Sequence, residues 1–100
     1  MNREDLTHQL KQAVEAQYGG KATFVQVVPV HEDVGGHLLW DSIVYVFDLK
    51  HNPNGAFRAY AWSYVRENGE HGFATMLHSP KVGSPRDAVR VEAERREGNA

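Results

Sequence analysis

A chain of 100 residues, 41% hydrophobic and 24% charged and without cysteine, is long enough for one hydrophobic core and excludes disulfides and thiolate chemistry. Its formal net charge of −2 argues against a protein whose main work is gripping phosphate backbones. The start, MNREDLTHQLKQAVEAQ, is acidic early and lacks the apolar segment of a signal peptide, and no run approaches the roughly 18 apolar residues of a membrane span; the expectation is a soluble, cytoplasmic protein with no membrane partner.

Residues 3–18 read as an amphipathic helix. Leu6, Leu10, Ala13, Val14 and Tyr18 recur on one side, while Arg3, Glu4, Gln9, Lys11, Gln12 and Glu15 take the other. Asn2 is placed to cap it, and Gly19-Gly20 stops it. Residues 22–31, ATFVQVVPVH, are β-branched and aromatic enough for a strand. Pro29 cannot donate to a ladder, which puts that strand at a sheet edge or a bulge. The polar HEDVGGH stretch then turns the chain into a strand starting near Leu38.

From Trp40 to Arg66 the sequence describes two long strands joined by Asn52-Pro53-Asn54-Gly55, with Gly55 supplying positive φ. Setting Leu49 opposite Phe57 places Asp48 beside Arg58, Val46 beside Tyr60, Val44 beside Trp62 and Trp40 beside Arg66, all favourable cross-strand pairs. A slip of one residue would scatter them. One face then carries Ile43, Tyr45, Phe47 and Leu49 against Phe57, Ala59, Ala61, Ser63 and Val65. The other carries Trp40, Ser42, Val44, Val46 and Asp48 against Arg58, Tyr60, Trp62, Tyr64 and Arg66. Helices approach a sheet closely where side chains are short, so both helices are expected over the Ala59/Ala61 face.

Glu67-Asn68-Gly69-Glu70 is a further tight turn, leading into a strand over 72–78. Its register stays open, because Phe73/Thr75/Leu77 and Ala74/Met76 are both credible core sets. Ser84 as N-cap, Pro85 at the first helical position and Asp87 at the third start a last helix. Its docking depends on Val89 and Ala93 or on a partner, and the final EGNA is expected to fray. The order is α-β-β-β-β-α: a single α+β domain over 1–97, an N-terminal helix, a four-stranded antiparallel meander and a C-terminal helix, with a frayed tail at 98–100. The start of the last helix, Ser84-Pro85-Arg86-Asp87, sets one basic residue against one acidic. The similarly ordered double-stranded RNA-binding domain needs a basic start there to reach phosphates.

Two groups of residues are candidate sites. The first is the row Arg58, Tyr60, Trp62, Tyr64 and Arg66, with Trp40 beside it. If both helices lie on the opposite face, this row is bare, and a contiguous apolar patch of Tyr, Trp and Arg marks a protein interface. The expected function is a small interaction or regulatory module, self-associating as a homodimer through this face or holding another protein. The same row suits base stacking in single-stranded nucleic acid, at roughly 1–3 kcal/mol per base, or a small ligand. The competing arrangement has one helix on each face and the rings inside.

The second group is His31, Glu32, Asp33 and His37 at the first turn with Glu67, Glu70 and His71 at the third. Alternate turns of a meander fall at one end of the sheet, so His31, His37, Glu70 and His71 form a weak candidate set for a divalent metal or an acid–base pair. No HExxH-type spacing fixes two of them on one rigid element, and exposed turns favour polar residues in any case. The chain has no Gly-rich phosphate loop and no nucleophile elbow. No catalytic residue and no cofactor is assigned, and an enzyme is the less favoured class.

Overall fold

The structure, a computed structural model, describes residues 3–34, 38–65 and 68–98, and the side chains of these except at 3, 32–41 and 96–98. In chain order the elements are α1 (Arg3–Tyr18), β1 (Lys21–Val34), β2 (Leu38–Lys50), β3 (Arg58–Val65), β4 (His71–Leu77) and α2 (Pro85–Gly98). The strands form one antiparallel sheet in the order β1-β2-β3-β4. This is the α+β meander between two helices that the sequence pattern predicts. Among the described residues no helix is long and apolar enough to cross a membrane.

The apolar stripe of α1 is buried as its spacing requires, with Leu10 and Val14 fully covered. Gly19, at φ 83°, ends the helix by donating its N–H to the Glu15 carbonyl. The next carbonyls are capped from the β2–β3 turn. Asn52 Nδ2 donates to the carbonyls of Tyr18 and Gly19 at 3.1 and 3.2 Å, while its Oδ1 accepts from the N–H groups of Asn54 and Ala56. A Cβ on Gly20 would stand 2.6 Å from the Lys50 carbonyl, so the glycine pair both stops the helix and lets β1 start against the end of β2.

β1 is an edge strand, which accommodates Pro29, and its ladder to β2 shifts between Phe24 and Gln26. The extra residue, Val25, keeps Phe24 and Val27 on one face of the sheet and Val28 and Val30 on the other. The β2–β3 register is the expected one: Asp48 opposes Arg58, Val46 opposes Tyr60 and Tyr45 opposes Ala61. β4 settles its open register by using both sets. Leu77 and Thr75 lie beside Ala59 and Ala61, and Met76 and Ala74 lie beside Tyr60 and Trp62.

Thr75 and Leu77 on one side and Ala74 and Met76 on the other are at least partly buried because each face of the sheet carries one helix, while Phe73 stays 40% exposed; this corrects the expectation that both helices share a face. α1 packs Leu10 and Val14 on Ala22, Tyr45, Phe47, Leu49, Ala59 and Ala61. α2 packs Ala88 and Val89 on Val30, Val44, Val46, Tyr60, Trp62 and Ala74. The short side chains that permit close approach are on the sheet in the first layer and on the helix in the second. Burying a large apolar side chain stabilises by roughly 1.5–3 kcal/mol, so covering Tyr60 and Trp62 outweighs leaving them bare.

The start of α2 follows its sequence signature. Asp87 N–H donates to Ser84 Oγ at 3.2 Å, and Asp87 Oδ2 accepts from the Gly83 N–H. The helix continues through residues 97–98, where fraying was expected, while 99–100 lie outside the described residues.

Candidate functional site

The aromatic row does not form an exposed surface. Tyr60 and Trp62 are each 1% exposed beneath α2, and Tyr64 is half-buried against the same core. Arg58 stays at the surface, paired with Asp48 at 3.3 Å. Arg66 and the Trp40 side chain lie outside the described residues. The proposed contact surface and the stacking platform for bases therefore lose their central rings to the core, for the reason just given: α2 supplies the small residues that let a helix settle on them.

The strand order does put the first and third turns at one end of the sheet. It also places His31 on β1 and His71 on β4, the two outer strands. Three strand spacings separate them, about 14 Å, whereas donors on one metal ion sit within about 2.0–2.2 Å of it. Among the described residues no group of three His, Asp or Glu is placed to hold a metal. Glu70 is an exposed turn residue whose N–H donates to Asn68 Oδ1. His37, Glu67 and the side chains of Glu32 and Asp33 lie outside the described residues.

Two other features come together instead. The first is the far end of the face that α1 covers. Sixteen residues of α-helix span about 24 Å, while the fourteen residues of β1 span about 46 Å. On the part of this face that α1 leaves uncovered, Ile43 is 58% exposed and Val65 64%, and Phe73, which shares a cleft with Gln17 and Tyr18 at the end of α1, is 40% exposed. Pro29 opposes Ile43 and Ser63 opposes Phe73, so this uncovered end crosses all four strands. The alternation in the sequence already puts Ile43 and Val65 on this face; the path of α1, from beside Phe24 on β1 to Thr75 on β4, decides which end of it stays bare.

The second feature is at the opposite end, around His78. Its Nδ1 lies 2.9 Å from the buried Tyr60 hydroxyl, and the Phe57 ring packs against the imidazole at 4.7 Å between centroids, tilted by 50°. Burial raises the Tyr60 pKa above the ordinary tyrosine value; the Asp87 carboxylate adds to the rise and Arg58 opposes it. A groove of about 580 Å³ runs past Gly55, Phe57, Leu77, His78, Ser79 and Pro80. Nothing in the sequence singles out His78, because its partner Tyr60 lies on the face that the strand alternation leaves solvent-exposed.

The free edge of β4 is partly occupied. Tyr18 donates its hydroxyl to the Thr75 carbonyl at 2.8 Å, and Thr75 Oγ1 donates back to the Tyr18 oxygen at 3.2 Å. A side chain on an edge carbonyl blunts strand-to-strand pairing there.

Comparison of the chain with protein-family models, with curated proteins and with solved structures finds no match.

Proposed function

We propose that this chain is a small protein-interaction module that self-associates through the end of the sheet face that α1 leaves bare. The observation that carries this reading is the exposure of Ile43, Val65 and Phe73 at one end of a face on which Tyr45, Phe47 and Leu49 are buried beneath α1 and the exposed Phe24 and Phe57 lie apart from that end. Apolar groups gathered on one surface favour association because it removes them from water. A two-fold contact brings the patch of one copy onto the same patch of another, and a net charge of −2 opposes it only slightly. The Tyr18 cap on Thr75 favours contact by faces over contact by strand edges.

Stable complexes bury about 800 Å² on each partner. These three side chains form the centre of such a contact rather than its whole extent, so association is concentration-dependent. Sedimentation velocity over a wide protein concentration range tests it. The wild-type chain is expected to move from monomer to dimer, and Val65→Asp with Ile43→Asp to stay monomeric while folded. A wild-type chain that stays monomeric throughout overturns the reading.

A further inference from the structure

We propose that the groove beside Phe57 and His78 binds a neutral, flat aromatic compound through a carbonyl oxygen, which accepts a hydrogen bond from His78 Nε2–H. The tautomer follows from the hydrogen bonds around Tyr60. Its hydroxyl is buried, and His78 Nδ1 at 2.9 Å is its one hydrogen-bond partner among the described residues. If it accepted from Nδ1–H, its own proton would remain in the core without an acceptor, a desolvation cost with nothing to offset it. The raised pKa of Tyr60 keeps that proton in place. Tyr60 therefore donates, Nδ1 accepts, and a neutral imidazole carries its proton on Nε2.

With Nδ1 turned inward, Nε2–H lies on the opposite edge of a half-buried ring that lines the groove, and it has no acceptor among the described residues. Phe57, 60% exposed, supplies a flat apolar wall, with Leu77 and Pro80 beside it. Ser79 Oγ is already engaged by the Val82 N–H. No side chain lining the groove is charged, so a carboxylate would lose its hydration there without gaining a cation, and a neutral acceptor is preferred. The volume of about 580 Å³ lies within the roughly 300–1,000 Å³ of small-ligand sites. The site is separate from the proposed dimer contact: Leu49, which donates to Phe57 O, and Ile43 are six residues apart on β2, about 20 Å.

Nitrogen-15 NMR tests this with benzamide, acetamide and benzoate as probes. Long-range proton–nitrogen spectra are expected to show His78 as the Nε2–H tautomer. Benzamide is expected to give saturable shifts at Phe57, Leu77, His78 and Ser79, acetamide none, and benzoate weaker binding than benzamide. His78→Ala should weaken benzamide about tenfold, the loss of one good hydrogen bond. Tyr60→Phe, which keeps the ring in the core, should release the tautomer preference and weaken benzamide several-fold. An Nδ1–H tautomer, no saturable response to benzamide, benzoate binding as tightly as benzamide, or full affinity in His78→Ala overturns the proposal.

Discussion

The Tyr64 ring lies over Gly72, its cross-strand neighbour: a Cβ placed on Gly72 would stand 2.5 Å from the ring. The glycine lets an aromatic fold down along the sheet and join the core beneath α2. Elsewhere in a strand, Gly→Ala gains about 0.5–1 kcal/mol. Here Gly72→Ala is expected to destabilise by about 1 kcal/mol, because the ring must swing away from its packing. In a Tyr64→Ala background the same change should be neutral or stabilising. Urea unfolding of the four proteins of this double-mutant cycle measures the coupling directly.

Asn52 joins two connections that the sequence presents as unrelated, the end of α1 and the β2–β3 turn. Asn52→Ala is expected to cost about 2–3 kcal/mol, since backbone groups at both places lose their partner. Asn52→Asp keeps the acceptor for Asn54 and Ala56 but removes the donor and sets negative charge at a helix C-terminus, so it should also destabilise. Denaturant midpoints at unchanged slope would check both.

Glu15 gives acid sensitivity a definite sign. Its Oε2 accepts from the Ala22 N–H at 2.9 Å and pairs with Lys11 at 3.1 Å. The Ala22 hydrogen bond, then the Lys11 and Lys21 charges, hold its pKa below the usual glutamate value, against the opposing effect of burial. A carboxylate with a depressed folded pKa contributes stability that is present above its unfolded pKa and lost as pH falls through the folded one. Glu15→Gln should therefore cost about 1 kcal/mol at pH 7 and lose that difference from wild type at acid pH. A constant difference across the range would contradict this.

Much of this architecture is legible in the residues, and the illegible part has a physical cause. The β2–β3 register follows from sequence because a slip damages both faces at once. The bounds of α1 follow from its stripe and from Gly19-Gly20. The side taken by α2 does not follow, because its buried apolar residues, Ala88, Val89 and Ala93, with Glu92 buried among them, make a weak stripe, and small residues permitting close approach can lie on either partner. That single ambiguity turned Tyr60 and Trp62 from core into apparent surface. It also hid His78, whose 18-residue separation from Tyr60 is closed only by the path of the chain after β4.

The central claim is that each face of the sheet carries its own helix, with Trp62 sealed beneath α2. It is tested most directly by the fluorescence of Trp62 in a Trp40→Phe chain, at a dilution where the protein is monomeric. The account predicts blue-shifted emission resistant to acrylamide in the folded monomer, both lost on unfolding. Red-shifted emission freely quenched by acrylamide in a folded monomer would contradict it.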